Sequence, residues 1–424
     1  MTASSPLDES GYPRVVILSM TDISSSTATG SLLRNLFAHY SPDDIFQITA
    51  SKSDDEVASR YTYRYALGPS GSRLNLKQRF VRKRKDLEKQ GILDQATLRA
   101  LSEFAPQLVY VRVVEDLFRY SRLARGIAFE FDVPIAVHVM DDYEAPLRYS
   151  TSSFERMVLR RFLHWDLKRL FGASALNLAI SESMCREFGR RYGCRFICIH
   201  NGVDPQEWSD ARSNPDPSES YRDAGSPFRL LMAGSIDERK DADVIRRLAR
   251  IVDGLNTSGE VNCELVLNVP RYYLAAAKSI ADAHPNVIAQ QYVPVGEYNS
   301  LLRSADCLVL ARNDNEVSRA YTGLSFHNKL PEYLASGTPV LCIGPSWDSS
   351  VQFLKEHKAG IVLEGATDDQ IREKIVEIAR FPERFEGVSE RARDTAFNQL
   401  DLIEIRRRFE NGLKLAAFGA QTAK

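Results

Sequence analysis

Ser325-Phe-His-Asn-Lys-Leu-Pro-Glu-Tyr-Leu-Ala-Ser-Gly337 runs directly into Thr338-Pro-Val-Leu-Cys-Ile-Gly344. The first segment reads as a loop and a short helix stopped by Gly337; the second reads as a buried strand. Asn328 is positioned to cap the helix, Pro331 is tolerated in its first turn, and Gly337 permits a left-handed exit. Lys329 and Glu332 stand three residues apart, so they share one face near the helix start. Exposed amides, a cation and a carboxylate suit a nucleotide diphosphate. The amides and Lys329 can hold phosphates, while Glu332 can accept both ribose hydroxyl protons. A solvated Lys–Glu pair on an ordinary helix fits the same letters, so the rest of the chain has to decide.

Outward from that segment, short apolar runs alternate with amphipathic stretches. In the first half the strand candidates are Val15-Val-Ile-Leu18, Leu108-Val-Tyr-Val111, Pro134-Ile-Ala-Val-His-Val139, Ala175-Leu-Asn-Leu-Ala-Ile180 and Phe196-Ile-Cys-Ile199. A Ser-, Pro-, Asp- and Gly-rich stretch at 209–227 has no apolar periodicity and reads as a linker. The rhythm then restarts with Phe228-Arg-Leu-Leu-Met-Ala233, Cys263-Glu-Leu-Val-Leu-Asn-Val269, Val287-Ile-Ala289, Cys307-Leu-Val-Leu310, the 338–343 run and Gly360-Ile-Val-Leu363. Apolar strands alternating with helices imply parallel sheets covered on both faces. The expected fold class is therefore α/β, with two doubly wound Rossmann-like domains facing a central cleft. The expected bounds are 1–208, a linker at 209–227, 228–398, and a terminal helix at 399–424 crossing back to the first domain. Ligands of such sheets bind at the carboxyl ends of the strands.

The 424 residues suffice for two such cores, and 44% hydrophobic with 26% charged residues is ordinary for a globular chain. A net charge of −1 argues against a global nucleic-acid binder. The opening residues lack a basic-then-apolar signal pattern, and no apolar run reaches the ~18 residues of a membrane span. The expectation is a cytoplasmic protein, with peripheral attachment at the inner face of a membrane as an option. Cys263, Cys307 and Cys342 read as small core residues. Cys194, Cys198 and His200 would share a strand face, a conceivable but weak metal constellation. Two stretches are basic, 77–89 and 154–171. The second mixes Arg156, Arg160, Arg161, Lys168 and Arg169 with Met157, Leu159, Phe162, Trp165 and Leu170. A basic face beside an aromatic face can dock on anionic lipid. The plainer expectation is an amphipathic helix with its apolar side on the core and its basic side in solvent.

With these pieces in order, the chain resembles the GT-B glycosyltransferases, particularly the large family-four group of retaining enzymes, from about Arg14 to Ile378. The motifs that carry the resemblance are Ser181-Glu-Ser-Met184, Arg191-Tyr-Gly193, His200-Asn-Gly-Val-Asp204, Gly234 with Lys240 six residues on, Ser304-Ala-Asp-Cys-Leu-Val-Leu310, and Lys329-Leu-Pro-Glu-Tyr-Leu-Ala-Ser-Gly-Thr-Pro-Val340. The last is the most specific, and order and spacing together are stronger than any one piece. The resemblance implies that Glu332 binds ribose and that Lys240 neutralises the leaving diphosphate. Gly30 resembles the glycine turn at the first helix of the acceptor domain. His138, followed by Met140-Asp-Asp-Tyr143, resembles the histidine that reaches the donor sugar. A buried core histidine is the alternative for His138, a surface lysine for Lys240, and plain loop-end residues for Asp141 and Asp142, which could otherwise position an acceptor hydroxyl.

Two departures fall on donor contacts. The family's first motif glutamate is Leu324 here, and the arginine after the second-domain glycine is Ser235 or Ile236. Ser325 and Lys329 are candidates to cover the lost phosphate binding. Asp141 and Asp142 are adjacent rather than alternate, so they do not form an Asp-x-Asp metal site, and neither metal nor cofactor is expected. The resemblance implies transfer of a sugar from a nucleotide-diphosphate sugar to a glycan or lipid-linked acceptor. The alternatives are a nucleotide-sugar epimerase or hydrolase on the same fold, and a non-catalytic scaffold.

Overall fold

The structure, a computed structural model, describes residues 11–25, 27–49, 63–66, 95–113, 117–209 and 225–419. The basic stretch at 77–89 and most of the 209–227 segment lie outside them. The chain forms two compact units, Met1–His200 with Glu404–Lys424, and Asn201–Ile403. Residues 201–209 thus pack with the second unit: the Val203 N–H donates to Leu400 and the Leu402 N–H donates back to Val203, each at 2.9 Å.

The first unit holds strands β1 (Val15–Ser19), β2 (Ile45–Thr49), β3 (Tyr63–Ala66), β4 (Leu108–Arg112), β5 (Ile135–Val139), β6 (Leu176–Ala179) and β7 (Ile197–Cys198). They pair in the order β3-β2-β1-β4-β5-β6-β7, every pair parallel. The second unit holds β8 (Phe228–Ala233), β9 (Cys263–Val269), β10 (Val287–Gln291), β11 (Cys307–Ala311), β12 (Val340–Ile343) and β13 (Ile361–Leu363). Their order is β10-β9-β8-β11-β12-β13, again parallel. In both sheets the order reverses beside the first strand, the switch point where doubly wound folds take ligands. Helices on both faces explain why β1, β5, β11 and β12 are buried at every position.

Strands β2 and β3 are not among the strands expected from the sequence. In β2, Ile-Phe-Gln-Ile-Thr, a fully buried Gln47 interrupts the apolar run, and its Oε1 accepts the Ile23 N–H at 3.2 Å. The terminal helix Leu402–Phe418 seats Phe409 in the first unit, 5.1 Å from Phe37 and 5.7 Å from Tyr110 between ring centroids. Cys263, Cys307 and Cys342 are buried core thiols. Strand β7 spans only two residues, so Cys194 does not share its face; Cys194 Sγ instead donates to the Tyr192 carbonyl at 3.7 Å.

Candidate functional site

In the second unit the motif segment folds into a loop, 323–329, between helices Glu316–Thr322 and Leu330–Ser336. Gly323 is required there, because a Cβ would lie 2.7 Å from the Arg319 carbonyl oxygen. The Ser349 hydroxyl donates to the Gly323 carbonyl at 2.9 Å, and the Ser350 hydroxyl accepts the His327 N–H at 2.9 Å. Asn328 does not cap the helix: its Oδ1 accepts from Asn201 Nδ2 at 2.8 Å, and Lys329 occupies the cap position without a side-chain bond. Gly337 makes the expected left-handed exit at φ +77°. The helix has seven residues, so its dipole is short, and positive charge in the site comes from side chains.

Tyr333 joins this helix to the end of β8. Its hydroxyl accepts the Ala233 N–H at 2.7 Å and donates to the Ala233 carbonyl at 3.2 Å. The half-buried Ser235 and the turn carrying Lys240 follow immediately. Asn313, just past β11, clamps that turn, donating its N–H to the Lys240 carbonyl at 2.8 Å and its side chain to Glu238 at 3.3 Å. Loops after β8 and β11 are thereby fixed to one another beside the motif loop.

Three cations converge on His327. Burial first, then the charges of Arg312, Lys329 and Lys240, push its imidazole well below the usual histidine range. His327 Nδ1 accepts the Lys329 N–H at 3.3 Å, so the proton of the neutral ring sits on Nε2. Arg312 is already compensated, by Asp348 at 3.2 Å and Asp241 at 3.6 Å. Burial raises the Asp241 carboxyl to about 6 against the opposing charge of Arg312. Lys240 and Lys329 therefore carry the less compensated charge.

Lys329 and Glu332 do meet, Nζ to Oε2 at 3.4 Å, and the ammonium also lies over the rings of Tyr298 at 4.7 Å and Tyr292 at 5.5 Å. Glu332 keeps about a third of its side chain exposed, while its Oε2 is turned away from water against the Lys329 ammonium and the Tyr298 hydroxyl. The Tyr298 hydroxyl, likewise shut off from water, faces this carboxylate. Burial raises the Glu332 carboxyl, with Lys329 opposing. The exposed edge of this carboxylate, beside a cation and two aromatic rings, suits neutral O–H donors next to an anion. Ser325 is engaged locally, its N–H donating to Thr322 at 3.0 Å. Arg312 and Tyr298 were not expected at the site because no fixed spacing links them to the motif, whereas His327 stands within the motif stretch itself. Arg239, one residue before Lys240, stacks on Tyr321 at 4.6 Å and pairs with Asp237 at 2.8 Å.

In the first unit, Gly30 closes the polar loop after β1 onto helix Ala28–Leu36. A Cβ there would fall 2.2 Å from the Ser25 carbonyl oxygen, and the Gly30 N–H donates to the Thr27 hydroxyl at 3.2 Å. Arg34 bonds the Ile23 and Ser25 carbonyls, and Arg112, at the end of β4, bonds the Thr29 hydroxyl at 2.7 Å. Two of the expected site residues are engaged within this unit. His138 is fully buried, with Nδ1 2.7 Å from the Tyr110 hydroxyl and Nε2 unpartnered, and burial followed by Arg112 pushes it down to about 3. Asp142 bonds Arg191 at 2.8 Å and accepts the N–H groups of Glu144 and Ala145, so it holds its loop. Asp141 beside it remains half-buried. A cavity of about 590 Å³ near Arg14, Gln107 and Pro134 opens at the amino ends of the strands, opposite the ligand end of such sheets.

No family model matches the chain, and no curated protein matches it in sequence. Solved structures match along nearly its whole length. HepE of Anabaena in complex with UDP aligns at TM-score 0.64 and 12% identity, over 94% of this chain and 99% of that one. The sucrose-phosphate synthase of Thermosynechococcus elongatus aligns at 0.65 and 13%, over 96% and 100%. WaaG, a glycosyltransferase involved in lipopolysaccharide biosynthesis, aligns at 0.62 and 16%, over 94% and 98%. The fold is the two-domain, Rossmann-like GT-B fold of these proteins. At these identities the likeness speaks for the fold, and the chemistry rests on this chain's own residues.

Proposed function

We propose that the chain is a nucleotide-sugar-dependent glycosyltransferase. It moves a hexosyl group from a nucleotide-diphosphate sugar to a glycan or lipid-linked acceptor, with retention and without a metal, in the synthesis of a cell-surface polysaccharide. The observation that carries the reading is the part-exposed Glu332 carboxylate beside Lys329, with Lys240 clamped onto the same loop cluster. Breaking the anomeric C–O bond leaves negative charge on the diphosphate, and positioned cations stabilise it as an oxyanion hole does. Glu332 accepts ribose hydroxyls, and Ser235 and Ser325 lie in the loops that border the phosphates. Gly30 keeps the acceptor-side loop tight, with Asp141 as the remaining candidate for an acceptor hydroxyl. The leaving phosphate assists deprotonation of the acceptor in this scheme. HepE was solved with UDP, with UDP-glucose, and with UDP and glucose, which supports ligands of this class.

The enclosed His138 and the Leu324 substitution favour one other reading, a non-catalytic scaffold that retains the nucleotide site. Calorimetric titration with UDP, GDP, ADP and CMP tests the common part. One diphosphate binds selectively, and Glu332→Ala weakens it by about tenfold or more, the effect of a lost charge-assisted pair of hydrogen bonds. No binding by any of the four removes the transferase reading. Binding without turnover on any supplied sugar acceptor selects the scaffold.

A further inference from the structure

The stretch 154–173 departs from its expected orientation. It forms a wide turn at Glu155–Leu159 followed by helix Arg160–Ala173. Its core face is Leu163, Leu167, Leu170 and Phe171, which suffices to seat the helix. Met157, Phe162 and Trp165 are not on that face: they are 67%, 48% and 54% exposed. They share the solvent side with exposed Arg161, Lys168 and Arg169. No exposed position from 157 to 173 is a carboxylate. Both acidic residues of the stretch are occupied elsewhere, Asp166 buried against Arg125 at 2.8 Å and Glu155 bonded to Ser150. The neighbouring turn Ala145–Tyr149 adds exposed Arg148 and a Tyr149 that is 42% exposed.

We infer that this face, Met157, Arg161, Phe162, Trp165, Lys168 and Arg169, docks in the interface of an anionic lipid bilayer. Three large apolar side chains in water on one helix face lose stability unless something covers them. The cover has to be negative, because every charge exposed among them is positive. It has to be apolar beneath a charged skin, because cations and apolar groups alternate on the same surface, which is the pattern of an interfacial helix. A single-stranded nucleic acid would need open aromatic faces for stacking, and the Trp165 ring is covered by the Arg169 guanidinium at 4.6 Å. Among the described residues no helix is long and apolar enough to cross a membrane, so such contact is peripheral. The inference is independent of the donor site, and its failure leaves the nucleotide reading standing.

Co-sedimentation of the full chain with vesicles tests it, comparing pure phosphatidylcholine with vesicles holding a third phosphatidylglycerol. The expected result is binding to the anionic vesicles only, reduced at least about tenfold in Arg161→Glu/Lys168→Glu and in Phe162→Ser/Trp165→Ser. Both pairs are exposed, so both variants fold, and unchanged nucleotide titration verifies that. Bromine-labelled acyl chains should quench fluorescence in wild type but not in Trp165→Phe. Equal binding to both vesicle types, or anionic binding that survives both double substitutions, overturns the inference. So does a wild type that ignores vesicles yet self-associates through this face, becoming monomeric in Phe162→Ser/Trp165→Ser.

Discussion

At His138 the surroundings decide what an ionisable letter can do. The residue stands where a substrate-facing histidine would be sought, but its strand turns the ring toward Tyr110 and the terminal helix. Its pKa, pushed down to about 3, has a consequence for stability. Between that value and the ordinary ~6.5 the unfolded chain binds a proton that the folded chain refuses, so stability falls as pH is lowered through this window. The difference in unfolding free energy between wild type and His138→Leu should shrink by about 1.4 kcal/mol per pH unit below pH 6.5. Urea titrations of the two proteins from pH 7 to pH 4 measure it, the carboxylates being common to both. A difference that stays flat would mean the imidazole is protonated in the fold.

At the scale of elements, the short helix Leu330–Ser336 and its neighbours separate what local letters specify from what contacts specify. The exit at Gly337 follows from chain sterics and was readable. Gly337→Ala should cost about 1–2 kcal/mol, since a Cβ at φ +77° would also press to 3.0 Å from Arg393 Cδ. Thermal unfolding followed by circular dichroism would detect it, and an unchanged midpoint would show that the turn relaxes freely. The start of the same helix was misread, because Asn328 found a partner 127 residues away in Asn201. The aromatic residues of 154–171 were misassigned for a related reason. Periodicity reports that a helix has an apolar stripe, but Leu163, Leu167, Leu170 and Phe171 alone complete it, and letters do not reveal when a stripe is full.

Across the whole molecule, the last helix is the piece whose role depends most on distant sequence. Phe409 is fully buried and meets Phe37, Tyr110 and His138, which come from three different elements of the first unit. Phe409→Ala should destabilise that unit by about 3–5 kcal/mol through cavity formation. Hydrogen exchange is the suitable measurement: protection should drop in β4 and β5 while β8 and β9 keep theirs. Equal losses in both sheets would mean the two units unfold as one.

By itself the sequence determined the α/β class, the two series of buried parallel strands, and the Lys329–Glu332 pair with its glycine stop. These depend on periodicity, steric preference and spacing within a few residues, all of which are written locally. Only the tertiary structure decided that the charges of Arg312 and Lys240 act with Lys329 on His327, that the Glu332 carboxylate stays part-exposed beside Lys329, and that His138 and Asp142 are engaged within their own unit. It also decided that Trp165 faces water. Those outcomes depend on which groups from remote strands arrive within a few ångströms, and on how much water the packing leaves between them.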